Sequence, residues 1–382
     1  MKVNYSVGTT LGGTGIGNTA YQAVLGIQKA GCLNKVYCLN SKNVKIPKDK
    51  IKSLGPLIYL LWYPLKGIQR YIIKRFNPYA ILDKVYDILT SWRIGKSDIF
   101  HSWLGHSKRS MEMVRKLGAI TIVECASSFP STQRKLVQEE YNKWGEQTLV
   151  SSNKQIKEAI HELYKSDYVT IPSDFVEKSF IENGFPKEKL IKIPFGIDLK
   201  KFNTKKEKKD NKFRAIFVGS VQLRKGIQYL LQAWEELKLK DAELIIVGRV
   251  WGDAENIVSK YRKNKTIKFI GFAEPKKYYS KSDVFVFPSI EEGSALVTYE
   301  AMASGLPLIT TFNSGSIARN GKEGFILPIR DIKTLKAKIK YMYDNPKKAI
   351  QMGVAARKHV ENFTWERYGE NLVKAYERVL KR

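Results

Sequence analysis

Residues 284–311 read VFVFPSIEEGSALVTYEAMASGLPLITT, and the pattern of this stretch predicts the fold class. The apolar run that ends at Pro288 predicts a buried strand, and the acidic, glycine-containing segment after it predicts a loop. A helix is predicted to begin around Leu296. A strand, a short loop and a helix in this order are typical of a parallel sheet, in which ligands bind at the carboxyl ends of the strands.

Two glutamates of this stretch are candidate ligand-binding residues. Glu292 precedes the predicted helix and Glu300 lies inside it, so both can face one cleft at the end of the strand. The backbone amides of Gly293, Ser294, Ala295 and Leu296 point out of the helix start, where an anion is stabilised. The alternative is structural, with Glu300 an acid of the first helical turn and Glu292 an ordinary loop residue.

Short apolar runs alternate with amphipathic helical patterns along the rest of the chain. This alternation predicts parallel sheets with crossover helices, hence an α/β protein. The predicted strands are Lys2–Val7, Lys35–Leu39, Asp98–His101, Ile120–Glu124, Tyr168–Ile171, Leu190–Ile193, Phe213–Val218, Glu243–Val247, Ile267–Ile270 and Val284–Phe287.

So many strands predict two Rossmann-like domains that face each other across a cleft. The lysine-rich segment 200–212, KKFNTKKEKKDNK, favours a boundary nearby, although an exposed loop would have the same composition. We expect an amino-terminal domain over 1–196 and a carboxyl-terminal domain over 197–363. Residues 364–382 predict an amphipathic helix that packs back on the first domain, with Thr364 as its N-cap.

The composition is strongly basic, with a formal net charge of +29 over 382 residues. Such a charge favours anionic partners, yet lysines on solvated helix faces would give the same number. Charge alone would also fit a nucleic-acid binder, but no RNA-binding motif or aromatic-basic platform accompanies it, so no nucleic-acid partner is expected. The three cysteines lack metal or redox spacing and fit a reducing compartment.

Residues 54–76, LGPLIYLLWYPLKGIQRYIIKRF, suggest contact with a membrane surface. Lys66, Arg70 and Lys74 recur every four residues among apolar and aromatic side chains, as in basic helices at anionic membranes. A core helix with snorkelling lysines fits the same pattern. No secretory signal is visible and no apolar run approaches the roughly 20 residues of a bilayer span. The expectation is a cytoplasmic protein, peripheral on the cytoplasmic membrane face.

Further glycine-containing segments surround the first stretch. They read P-F-G-I-D (194–198), G-S-V-Q-L-R-K-G (219–226), I-V-G (246–248) and E-G-F-I-L-P (323–328). Together with E-E-G-x7-E-A-M-A-S-G-L-P they resemble the donor domain of the family 4 retaining glycosyltransferases, which have the GT-B fold. The resemblance covers residues 165–330 strongly and the amino-terminal half more weakly.

The resemblance implies roles for individual residues. Glu300 would bind the ribose of a UDP-, GDP- or ADP-sugar, and Glu292 would face the sugar and the leaving diphosphate. Lys225 would bind the diphosphate, together with Gly219 and the amides at Ser294 to Leu296. No cofactor is implied, and the chain contains no Asp-x-Asp or His/Cys cluster, so metal independence is expected. The acceptor would be a glycan or lipid-linked molecule.

The chain departs from the family pattern at two positions. Ser220 stands where an arginine is common, and Arg224 beside Lys225 is expected to supply that charge. Phe129 stands where related sequences have a histidine near the transferred sugar, which leaves Glu124 as the nearest polar candidate. A noncatalytic relative that acts as a binding module is the alternative to an enzyme.

The amino-terminal glycine loop contains G-x-G-x-x-A at Gly15 to Ala20, which is typical of dinucleotide-binding domains. No acidic residue follows the second predicted strand before Asp49, which disfavours that function. We expect Gly12 and Gly13 to approach the donor phosphates and the acceptor instead, a structural turn being the alternative.

Two histidines, His101 and His106, are candidates for the acceptor side. His101 ends a predicted strand and His106 follows it in a predicted loop, so both could reach a cleft at the carboxyl ends of the strands. A structural role is the alternative for each.

Overall fold

The structure is a computed structural model that describes residues 1–55, 58, 60, 62, 78–146, 151–202 and 210–381. Most of the predicted membrane-surface segment 54–76, with Lys66, Arg70 and Lys74, lies outside the described residues, as does much of the segment 200–212. Among the helices of the described residues, none combines the length and apolar character needed to span a bilayer.

Strands of the amino-terminal half form a sheet of seven parallel strands in the order β3-β2-β1-β4-β5-β6-β7. Their bounds are β1 Val3–Leu11, β2 Leu33–Ser41, β3 Ile51–Ser53, β4 Ile99–Trp103, β5 Ile120–Glu124, β6 Tyr168–Ile171 and β7 Leu190–Lys192. The chain changes direction across the sheet between β1 and β4, and such a switch point is where open α/β sheets bind ligands.

Strands of the carboxyl-terminal half form a second parallel sheet, with six strands in the order β10-β9-β8-β11-β12-β13. Their bounds are β8 Phe213–Val218, β9 Ala242–Val247, β10 Ile267–Gly271, β11 Val284–Phe287, β12 Leu308–Thr311 and β13 Gly324–Leu327. β11 is buried along its whole length, as expected for a central strand with helices on both faces.

Helices cross between the strands and cover both faces of each sheet. Within the described residues, the α-helices are α1 Ile16–Lys29, α2 Pro78–Arg93, α3 Lys108–Lys116, α4 Pro130–Lys143, α5 Asn153–Lys165, α6 Asp174–Glu182, α7 Ile227–Leu237, α8 Gly252–Tyr261, α9 Lys276–Tyr279, α10 Leu296–Ala303, α11 Ile332–Asp344, α12 Pro346–Val360 and α13 Trp365–Leu380.

The last helix returns to the amino-terminal half, as the sequence predicts. α13 begins after Thr364, whose side chain accepts a hydrogen bond from the Arg367 amide. It crosses α1 where Gly26 and Gly369 meet, and a Cβ on Gly26 would lie 2.5 Å from the Cα of Gly369. Two glycines at the crossing let the helix backbones approach more closely than side chains would allow.

All ten predicted strands occur, most of them within one or two residues of the predicted bounds. The three short strands β3, β12 and β13 were not predicted from the sequence. The α/β class and the two Rossmann-like sheets are confirmed, whereas the boundary at 196/197 stays a prediction.

Candidate active site

A short 3₁₀ turn, Leu223–Lys225, follows β8 and holds two adjacent cations. It ends at Gly226, whose φ of 73° is left-handed. A Cβ there would lie 1.9 Å from the carbonyl oxygen of Pro288, so only glycine lets the turn approach the loop after β11 so closely. The sequence therefore brings Arg224 and Lys225 against the acidic loop that precedes α10.

Both cations contact Glu292. Arg224 Nη1 lies 2.6 Å from Glu292 Oε1 and 2.8 Å from the Glu291 carbonyl oxygen, and the Lys225 ammonium also pairs with Glu292. Burial and the Arg224 charge lower the pKa of Lys225 well below its ordinary value, Glu291 opposes the shift, and a bound anion would raise this pKa again and favour the ammonium form. An anionic ligand can compete with Glu292 for these two side chains, because Arg and Lys form charge-assisted hydrogen bonds with phosphate as well as with carboxylate.

The predicted anion-binding loop lies directly between the two halves. A Cβ on Gly293 would lie 1.6 Å from the carbonyl oxygen of Ala126, which belongs to the amino-terminal half. The Ser294 hydroxyl lies 3.0 Å from the Gly315 carbonyl oxygen, and the Ala295 amide donates to the Ser314 carbonyl over 3.0 Å. Of the amides predicted to bind phosphate oxygens, that of Ala295 therefore already has a partner.

The helix that follows this loop has no side-chain cap. α10 begins at Leu296, and its N-cap residue Ala295 has no side-chain oxygen to accept a bond from the first turn. An uncapped helix start with its partial positive charge favours an anion nearby.

Glu300 lies in α10, apart from the cationic cluster. The Tyr279 hydroxyl donates to its carboxylate over 3.1 Å. Burial raises the pKa of Glu300 to about 7, with the Tyr279 bond acting in the opposite direction. Of the two paired glutamates in the motif, the structure thus gives Glu292 two cationic partners and Glu300 a neutral one.

Both halves line a cleft of about 590 Å³ beside the cations. Its residues from the carboxyl-terminal half are Arg224, Glu292 and Gly293. From the amino-terminal half come Ile16, Trp103, Leu104, Glu124, Cys125, Ala126, Ser127, Gln133, Val137, Tyr141 and Ser151. The sequence did not single out Gln133 or Tyr141, because which face of α4 meets the other domain depends on the domain packing.

Glu124 lies at the end of β5, where it was predicted, but its carboxylate is held by the protein itself. The hydroxyls of Tyr5 and Tyr368 donate to it over 3.2 and 3.1 Å, and His101 Nε2 lies 3.2 Å away. His101 is fully buried and its Nδ1 lies 2.7 Å from the Tyr376 hydroxyl. These contacts favour the structural alternative for His101, whose acceptor-side role stays a prediction.

His106 lies at the switch point of the first sheet, packed over Gly8 of β1. Its Nδ1 is 3.3 Å from Asp83, and nearby carboxylates raise the pKa of His106 although burial opposes them. The loop that holds it is fixed by Glu162, which accepts from the Gly105 amide over 3.2 Å and the Ser107 hydroxyl over 2.7 Å. A contact between His106 and an acceptor stays a prediction.

Two glycines of the amino-terminal glycine loop pack closely against backbone carbonyls of other residues in the same half. A Cβ on Gly12 would lie 2.2 Å from the Lys42 carbonyl oxygen, and one on Gly13 would lie 2.9 Å from that of Thr10. Gly15 precedes α1 with a φ of 56° and has open space on its Cβ side. The packing of the loop alone thus accounts for glycine at 12 and 13, and their contact with donor phosphates stays a prediction.

The two departures from the family pattern have distinct environments. Phe129 is buried and packs edge-on against Phe180, so its ring points into the core of the amino-terminal half. The Ser220 hydroxyl donates to Gln222 over 3.0 Å.

Within the described residues, no group of three or more His, Cys, Asp or Glu side chains is arranged to hold a metal ion.

Comparisons with known proteins find similarity to glycosyltransferases over part of the chain. Residues 199–359 match the family described as glycosyl transferases group 1. Spore coat protein SA of Bacillus subtilis is 30% identical over 242 residues, which are 54% of this chain and 63% of that protein. The capsular polysaccharide biosynthesis glycosyltransferase CapM of Staphylococcus aureus is 28% identical over 239 residues, 56% of this chain and 62% of that protein. The matches thus span less than two thirds of these relatives' lengths.

Solved structures resemble the whole chain in fold. Sucrose-phosphate synthase from Thermosynechococcus elongatus has a TM-score of 0.71 at 17% identity and covers 100% of both chains. Anabaena HepE in complex with UDP-glucose has a TM-score of 0.69 at 14% identity, with 99% of this chain and 100% of that chain covered. The chain therefore has the GT-B fold, and residues 199–359 of its carboxyl-terminal half are similar to the glycosyl transferases group 1.

Proposed function

We propose that this protein is a retaining glycosyltransferase that moves a sugar from a nucleotide diphosphosugar to a glycan or lipid-linked acceptor. The observation that supports this function most is the pair of cations on Glu292, which borders the cleft beside an uncapped helix start. CapM is named for capsular polysaccharide biosynthesis, and the HepE structure holds UDP-glucose. This similarity supports the proposal that the reaction serves cell-surface polysaccharide or glycolipid assembly.

The chemistry of the site follows from the charge that develops on the leaving group. As the glycosidic bond to the donor breaks, negative charge accumulates on the nucleoside diphosphate. A cation 4 Å from that charge contributes about 4 kcal/mol at an effective dielectric constant of 20. Arg224, Lys225 and the start of α10 are positioned before the reaction, which makes such stabilisation effective.

The remaining roles are assigned by position in the motif. Glu300 would accept hydrogen bonds from the ribose hydroxyls, and Glu292 would face the transferred sugar. The acceptor hydroxyl would attack from the face that the leaving group departs from and lose its proton to the leaving phosphate. Enclosure between the two halves would hold both substrates and exclude water.

No metal is assigned to this mechanism, because the residues near the diphosphate position are themselves cationic. Turnover is therefore expected to persist after treatment with EDTA.

Peripheral binding at an anionic membrane is proposed from the sequence of residues 54–76 alone. It would be tested by flotation with anionic liposomes, which should depend on Lys66, Arg70 and Lys74.

The function is tested by offering purified protein a panel of UDP-, GDP- and ADP-sugars with candidate acceptors. Release of a nucleoside diphosphate from one base class is the expected result. A folded sample that neither binds nor turns over any of them would favour the alternative, a noncatalytic GT-B relative. One observation favours that alternative: Glu124 and His101 are both hydrogen-bonded to buried tyrosine hydroxyls of the protein.

A further inference from the structure

α4 follows β5 of the first sheet, yet it packs along the second half of the molecule. Three of its side chains reach across the cleft: Gln133 near its start, and Glu140 and Tyr141 near its end. All three lead by hydrogen bonds to the turn that holds Arg224 and Lys225.

The first path runs through Glu291, a fully buried carboxylate. It accepts from the Ser128 amide and hydroxyl over 3.1 and 2.9 Å and from Gln133 Nε2 over 3.3 Å. The oxygen that accepts from Gln133, Oε2, also accepts from Arg224 Nη1 over 3.2 Å. Glu291 therefore joins the start of α4 to one of the two cations.

The second path runs through Glu140, which is also fully buried. Gln228 Nε2 donates to Glu140 over 2.7 Å and to the Leu223 carbonyl over 2.9 Å, so one amide group connects α4 to the turn. Tyr229 and Arg330 donate to the same carboxylate over 2.6 and 2.8 Å. Arg330 adopts a φ of 64°, a strained backbone conformation for a residue with a side chain. In this conformation its guanidinium contacts Glu140.

The third path runs through Asp253 at the start of α8. Its Oδ2 accepts from the Tyr141 hydroxyl over 3.3 Å and from the Leu223 amide over 3.1 Å. The Tyr141 phenol, whose pKa burial raises to about 12, is protonated at neutral pH and donates this bond. Both backbone groups of Leu223, amide and carbonyl, are thus bonded to residues that α4 contacts.

We propose that α4 is a positioning element for the donor diphosphate, with Gln133, Glu140 and Tyr141 as positioning residues that fix the Arg224–Lys225 turn from the opposite half of the molecule. This inference rests on the proposed function for the identity of the ligand. It follows that the diphosphate site is complete only when the two halves have this orientation, so that donor affinity and closure of the cleft depend on each other.

The packing part of the inference can be tested without a ligand. Hydrogen exchange measured by mass spectrometry should be faster over residues 220–227 in Tyr141→Phe and in Gln133→Ala than in wild type. Tyr164→Phe and Gln138→Ala are matched controls, because their groups bond to the Gly184 carbonyl and to Asn142 of α4 itself. Unchanged exchange at the turn in both test variants would overturn the inference.

The functional part is tested by the ratio of nucleoside diphosphate to monophosphate affinity. Only the diphosphate needs the positioned cations, so both test variants should lower this ratio about fivefold to tenfold, the effect of one or two lost hydrogen bonds. A parallel loss for both ligands would indicate general destabilisation and overturn the inference. If wild type binds no nucleoside diphosphate, the proposed function fails, and the exchange result still decides whether α4 holds the turn.

Discussion

Each half of the molecule places a glutamate where a central parallel strand ends, and the two glutamates have opposite kinds of partners. Glu124 ends β5 and accepts from two tyrosine hydroxyls beside a buried histidine. Glu292 follows β11 and pairs with Arg224 and Lys225. The Glu124 side chain is 4% exposed and that of Glu292 is 15% exposed.

The difference distinguishes a carboxylate held by neutral hydroxyls from one held by cations, and both carboxylates line the same cleft. The donors around Glu124 are buried side chains of the core and of α13. Of the two cations on Glu292, Arg224 lines an open cleft and Lys225 lies next to it in the chain, so an anionic ligand in the cleft can compete for them. Position in the fold therefore does not assign function, whereas the chemistry of the partners does.

The largest effect is expected at the cations. Lys225→Ala should lower turnover by about a hundredfold to a thousandfold, the usual cost of removing one preorganised group that stabilises developing charge. Nucleoside diphosphate release would be measured under single-turnover conditions. Lys260→Ala, which removes an exposed lysine of α8 in the same half, is the control. Equal activity of the two variants would remove Lys225 from the site.

A smaller effect, on stability rather than on donor binding, is expected at the other glutamate. Glu124→Gln should lower the free energy of unfolding by about 2 kcal/mol, because buried hydroxyls and the histidine lose a carboxylate acceptor. Urea denaturation measures the change, and nucleotide affinity of the folded variant should be retained. Normal stability with lost turnover would instead support the catalytic role predicted for Glu124 from sequence.

The smallest effect is expected from the titration of Glu300, whose pKa burial raises to about 7. The ionised form accepts more hydrogen bonds from ribose hydroxyls, so nucleotide affinity should rise a few-fold between pH 6 and pH 8. The raised pKa also means that the folded state holds the proton more tightly than the unfolded chain does. The contribution of Glu300 to stability should therefore decrease as the pH rises from about 4.5 to 7.

Calorimetric titrations across this pH range would test the expectation, with Glu300→Gln as the reference. The phosphate of the ligand also titrates near neutral pH. Because Glu300→Gln has no carboxyl group at this position, its pH profile measures the contribution of the ligand alone. A profile that is the same in wild type and Glu300→Gln would contradict the ribose assignment.

The sequence predicted the carboxyl-terminal site better than the amino-terminal one, for a physical reason. Arg224, Lys225 and Glu292 follow neighbouring strands, and parallel strands bring their carboxyl ends to one edge. Local patterns were therefore sufficient to place them together. The donors around Glu124 come in part from Tyr368 on the last helix, a contact between residues distant in sequence that no local pattern encodes.

Two further features depended on packing between the halves. The inward orientation of Phe129 follows from its contact with Phe180, and the role of Gln133 and Tyr141 follows from the docking of α4. Each requires the relative position of elements, which sequence periodicity does not supply.

The most direct test of the account compares nucleotide binding to wild type, Lys225→Ala and Glu124→Gln in one calorimetric series. Each protein would be titrated with the nucleoside diphosphate of the active base class and with its monophosphate. The account predicts that the preference for the diphosphate is lost in Lys225→Ala and kept in folded Glu124→Gln. A preference that survives the loss of Lys225, or that disappears with Glu124 alone, would contradict it.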